Sequence, residues 1–97
     1  MNAKKHLEKA IALKPEYAEA YFELGMLLKE EGEIKESVEN FKKAVNIKSD
    51  FAEAQCELAI ALTSEGEHEA ARNHFLNALE INPNFAHAYF HYAILLI

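Results

Sequence analysis

Ala-Glu-Ala begins at Ala18 and again at Ala52, and Ala-His-Ala follows at Ala86, so the sequence returns to itself every 34 residues. Aligned at that period, the first half of each copy gives the columns Ala20, Ala54, Ala88; Leu24, Leu58, Tyr92; and Leu28, Leu62, Leu96. The second half gives Leu7, Phe41, Phe75; Ala10, Ala44, Ala78; and Leu13, Ile47, Ile81. Large and small residues keep to separate columns, three or four residues apart, which is the spacing of one face of a helix. Each copy therefore holds two helix-length apolar patterns. Neither can bury its apolar face alone, so the copies must stack, and an all-α solenoid of antiparallel helix pairs is predicted. In such an array function lies in a surface and not in a catalytic pocket.

The punctuation of the repeat predicts the helix limits. Pro15 and Pro83 are expected to open helices, where φ is preset and no amide hydrogen is wasted. Asn82 is the expected N-cap before the second, and Ser49 or Asp50 the cap of the middle copy. Gly32 and Gly66 are expected to take the left-handed conformation that ends a helix. Helices are thus predicted over 17–30, 34–46, 51–64 and 68–81. Residues 3–13 match a second helix without a first, and residues 86–97 a first helix without a second.

The columns carry a resemblance. Tyr21, Leu24, Gly25, Gly32, Phe41 and Ala44, and then Leu58, Gly66, Ala71, Phe75, Ala78 and Pro83, follow the signature of the tetratricopeptide repeat family, which the chain resembles over its whole length. Departures are few. Gln55 stands where an aromatic is expected, Ala59 and Ala93 replace a glycine, Ser37 and Ser49 stand for Ala and Pro, and His68 occupies a bulky apolar column. The resemblance implies a right-handed superhelix whose concave wall is made of the first helix of each pair. It divides a single domain, 1–97, into a half repeat (1–17), two repeats (18–51 and 52–85) and a half repeat (86–97).

Composition narrows the partners. The chain has 97 residues, 51% of them apolar, enough for one modest core. A formal charge of −6 argues against nucleic acid, which needs a basic stripe. No apolar run approaches the ~20 residues of a membrane span, and no signal peptide opens the chain, so the cytoplasm is the expected location. A single cysteine, Cys56, cannot form an internal disulfide.

Residues four apart share a helix face, which places Phe22 with Met26, Cys56 with Ile60, and Phe90 with Ile94 on the side away from the Leu24, Leu58 and Tyr92 column. The resemblance implies that these positions line a ligand groove. Glu19, Glu23, Glu53 and Glu57 surround them, so the expected partner is a protein or peptide segment, apolar on one side and basic on its flanks. The chaperone-tail clamp of some family members uses paired Lys, Asn and Arg; here Glu, Phe, Cys, Ile and His occupy the wall, which disfavours that role. An alternative is self-association as a homo-oligomer, in which Leu7 and Ile11 of one copy meet Tyr92, Leu95 and Leu96 of another and complete a repeat in trans.

Catalysis is not expected. His87 and His91 have the spacing of two zinc ligands, but Ala88, Tyr89 and Phe90 between them supply no Glu for general-base work, and no third ligand is fixed nearby. They are read as a surface pair, and Cys56 as a small hydrophobe. No nucleophile elbow or phosphate loop is present, and no metal or cofactor is anticipated.

Overall fold

The computed structural model describes residues 2–97, which form six helices and no strand: α1 (Ala3–Leu13), α2 (Ala18–Glu30), α3 (Ile34–Ile47), α4 (Ala52–Ser64), α5 (His68–Ile81) and α6 (Ala86–Leu96). They fall into two compact units. One extends to Ser49 and contains α1 to α3; the other, Asp50–Ile97, contains α4 to α6.

The glycine stops behave as predicted. Gly32 and Gly66 have φ of 82° and 80°. The Gly32 N–H donates to the Lys29 carbonyl and the Glu33 N–H to the Leu28 carbonyl, at 3.0 and 2.8 Å. Gly66 and Glu67 repeat this pair on Thr63 and Leu62, at 3.1 and 2.9 Å. Both α2 and α4 therefore end in Schellman motifs that satisfy carbonyls which would otherwise lack partners.

The helix starts lie within one residue of those predicted, but the residues expected to open and cap them play other parts. Pro15 does not begin α2; it occupies the second position of a β-turn closed by the Tyr17 N–H on the Lys14 carbonyl at 3.1 Å. Pro83 does the same between Asn82 and Phe85, also at 3.1 Å. Asn82 is the C-cap of α5 and not an N-cap, and its side chain accepts from the Asn84 N–H within the turn. The N-cap positions of α2, α4 and α6 are held by Tyr17, Phe51 and Phe85, so the N-cap of α4 is neither Ser49 nor Asp50. A four-residue turn uses the residues assigned to the cap and brings an aromatic to the helix start instead. The Tyr21 hydroxyl fastens α2 to its turn by donating to the Pro15 carbonyl at 3.2 Å.

In the first unit α2 packs on α3 around Phe41 and Ala44, which have no exposed surface. Gly25 lets this happen: a Cβ there would stand 2.6 Å from the Phe41 ring. Ser37, in a column that calls for Ala, is fully buried but donates to the Ile34 carbonyl at 2.7 Å, so its hydroxyl is satisfied within its own helix. In the second unit α5 packs against both α4 and α6. Ala71, Phe75 and Ala78 are closed off, and Tyr92 stacks on Phe75 with ring centroids 5.6 Å apart.

Candidate functional site

On α2 the expected contact residues divide between interior and surface. Phe22 is half-buried because its ring leans on Phe41, at 5.9 Å between centroids. Met26 is also half-buried and borders a hollow of about 400 Å³ between α1 and α2, with Leu7, Leu27, Glu23 and Glu30 around it. A second hollow of about 210 Å³, lined by Leu7, Ala10, Tyr17, Ala20, Glu19 and Glu23, shares Leu7 and Glu23 with the first. Ile11 on α1 is half-buried.

Glu19 stands in the first turn of α2 and pairs with Lys48 at 3.5 Å. Its carboxyl is held below its ordinary value, first by its own backbone N–H and then by the Lys48 and Lys14 charges. Such a depressed group favours the fold above the ordinary carboxylate range and ceases to do so as the pH falls through its folded pKa. Glu19 thus already has a cation, whereas Glu23 and Glu53 present exposed carboxylates.

On α4 the expectation needs correcting at two positions. Cys56 is completely buried and Glu57 nearly so, so neither offers the open contact assigned to it. The cause is local: nine residues of α4 are buried, and α5 and α6 of its own unit pack against it. Glu57 faces His87 of α6, Oε2 to Nε2 at 3.6 Å.

Ile60 and Ile94, from two different helices, do come together. With Thr63, Ser64, Phe75 and His91 they line one hollow of about 270 Å³. Phe90, one turn before Ile94, is 62% exposed. At the other side of α6, Leu95 and the exposed Leu96 line a hollow of about 240 Å³ with His68, Glu69 and Arg72 of α5. Tyr92 is half-buried by its stacking on Phe75.

Two polar contacts escaped the sequence reading. His74 Nδ1 lies 2.7 Å from Gln55 Oε1. The signal was present, since Gln55 breaks an aromatic column and needs a polar partner when buried. The Glu57–His87 pair had no such mark, because glutamate on a helix is ordinarily solvated. His87 and His91 meet edge to face with ring centroids 4.6 Å apart. Among the described residues no three His, Cys, Asp or Glu side chains are grouped to hold a metal ion, and no helix is long and apolar enough to cross a membrane.

Similar proteins agree with this architecture. Two MamA crystal structures share 26% identity with the chain over 95% of its length, with TM-scores of 0.88 and 0.87. The chain spans about half the length of those structures, 54% and 50%. The first TPR of Spaghetti (RPAP3), bound to an HSP90 peptide, superposes with a TM-score of 0.92 at 14% identity, covering 96% of this chain and 74% of that one. An O-GlcNAc transferase variant from Thermobaculum terrenum gives 0.90 at 22%, over 96% of this chain and 18% of that one. These last two show the fold alone. No curated protein matches the chain. Models of the tetratricopeptide repeat match residues 6–39, 27–63 and 52–85. The last of these matches is one whole repeat as the columns divide the sequence, and together the three leave no gap between residues 6 and 85: the chain belongs to the tetratricopeptide repeat family.

Proposed function

We propose that the chain is a protein-interaction module and not an enzyme, taking a short segment of a partner on the face that α4 and α6 form together. The observation that carries this reading is the junction of Ile60 and Ile94 in one hollow, with the exposed Phe90 ring beside it. Exposed aromatic and branched apolar side chains grouped in this way mark binding surfaces more often than solvent-facing ones. Spaghetti's domain, of the same fold, holds an HSP90 peptide, which supports peptide recognition as a class. The chemistry of this face favours a different ligand: Glu53 presents an exposed carboxylate on α4, so the segment is apolar with lysines or arginines on its flanks.

Fluorescence anisotropy with labelled amphipathic peptides, matched in apolar residues but flanked by lysines or by glutamates, tests this. Saturable binding of the lysine-flanked peptide is expected, weakened at least tenfold in the Phe90→Asp, Ile94→Asp variant. Equal binding of both peptides, or no effect of the variant, would refute it.

A second reading rests on a separate observation. Tyr89 and Leu96 of α6 are 51% and 65% exposed, although Gln55 and Leu62, one period earlier, are each only 5% exposed. This favours self-association in which α1 and α6 supply the contact, through Leu7, Ile11, Tyr92, Leu95 and Leu96.

A further inference from the structure

The repeat itself shows what covers each open face. Moved forward by one period, α4 becomes α6; moved back by two, α5 becomes α1. In the second unit α4 packs on α5. That contact closes Phe75, Ala71 and Ala78, whose counterparts on α1 are Leu7, Ala3 and Ala10, all open to solvent in part or in full. Of the α6 positions whose counterparts on α4 are closed, Ala88 alone is closed as well, and the others are open in part or in full. One chain therefore carries both halves of a contact that it elsewhere makes internally.

We infer that α6 of one copy docks on α1 of a second copy, head to tail, in the arrangement that α4 adopts on α5. The inference rests on the self-association reading and adds its polarity and residue pairing. Tyr89 takes the place of Gln55 and meets His6 of the second copy, which takes the place of His74. Ala93 meets Leu7, as Gly25 meets Phe41 in the first unit. Because α4 also touches α6, the docked helix reaches α2 as well and narrows the hollow bordered by Leu7 and Met26, as α4 borders the smaller hollow lined by Phe75 and Ile94. The incoming α1 in turn lies beside Leu95 and Leu96, at the hollow that they share with Arg72.

Charge supports a second copy as the occupant. Helix α1 carries Lys4, Lys5 and Lys9 against Glu8, whereas residues 50–97 carry seven acidic side chains against one arginine. A basic helix approaching an acidic unit is steered toward it, and the attraction weakens as salt screens it. The contact is heterologous, so repeated copies add in one direction until a ring closes.

Light scattering and directed cross-linking of the 97-residue chain test the inference. The mean mass should rise with concentration in the micromolar range and fall with added salt. His6→Cys and Tyr89→Cys, prepared separately in a Cys56→Ala background and mixed, should give a mixed dimer with a short bismaleimide, and neither variant alone should give a dimer. The pair Leu7→Cys and Ala93→Cys should do the same, and guards against a folding fault in one variant. A monomer at every concentration overturns both this inference and the self-association reading. Association without the mixed products, or with products of one variant alone, overturns the head-to-tail pairing and leaves self-association standing.

Discussion

Gly25 shows how far one side chain decides the distance between two helices. Alanine ordinarily stabilises a helix by about 1 kcal/mol over glycine. Here the added methyl would meet the Phe41 ring at 2.6 Å, and that ring has no exposed surface into which to move. Overpacking of this kind costs about 1–3 kcal/mol. The second unit has Ala59 and Phe75 at the equivalent positions, so the helix spacing can open, which keeps the cost to about 2 kcal/mol and leaves a net loss of about 1 kcal/mol after the alanine gain. Gly25→Ala is predicted to lose about 1 kcal/mol in urea unfolding, and to become neutral or stabilising in a Phe41→Leu background. A loss of the same size in both backgrounds would show that the ring is not the cause.

Among the elements, α1 and α6 differ from the four between them. Helix α1 buries no residue completely and α6 only Ala88, whereas α4 buries nine. Elements with few buried contacts open at low free energy. Amide hydrogen exchange at low micromolar concentration is predicted to be fastest in α1 and α6 and slowest in α4. At higher concentration, protection should rise most in α1 and α6, which carry the proposed docking faces. Uniform exchange along the chain would contradict the burial pattern.

How much of each element could be read in advance follows from where its signal lies. Gly32 and Gly66 gave the ends of α2 and α4 because a left-handed residue is a local requirement, met within the turn itself. The role of the prolines was less legible, because Pro suits both the first helical turn and the second position of a β-turn, and only the hydrogen bond from Tyr17 to Lys14 separates the two. The face shared by Cys56 and Ile60 was legible from helical spacing, but their exposure was not. Cys56 is closed off while Ile60 stays half-open, and that difference depends on what surrounds α4, not on the four-residue interval.

At the scale of the molecule, two kinds of surface remain after the cores are accounted for. The proposed ligand face holds Ile60, Phe90 and Ile94, and the proposed self-contact uses the open sides of α1 and α6. The charge is uneven as well: residues 1–49 carry nine lysines and nine glutamates, so the whole formal charge of −6 belongs to residues 50–97. The lysine-flanked ligand proposed above would therefore be drawn to the unit that also holds the apolar hollow. The central claim is that function resides in this surface. Its most direct test is a heteronuclear NMR titration of the isotope-labelled chain with a lysine-flanked amphipathic peptide. The account predicts saturable shifts concentrated at Ile60, Phe90, His91 and Ile94, with the resonances of α3 unmoved; shifts confined to α3 and α5, or none at all, would contradict it.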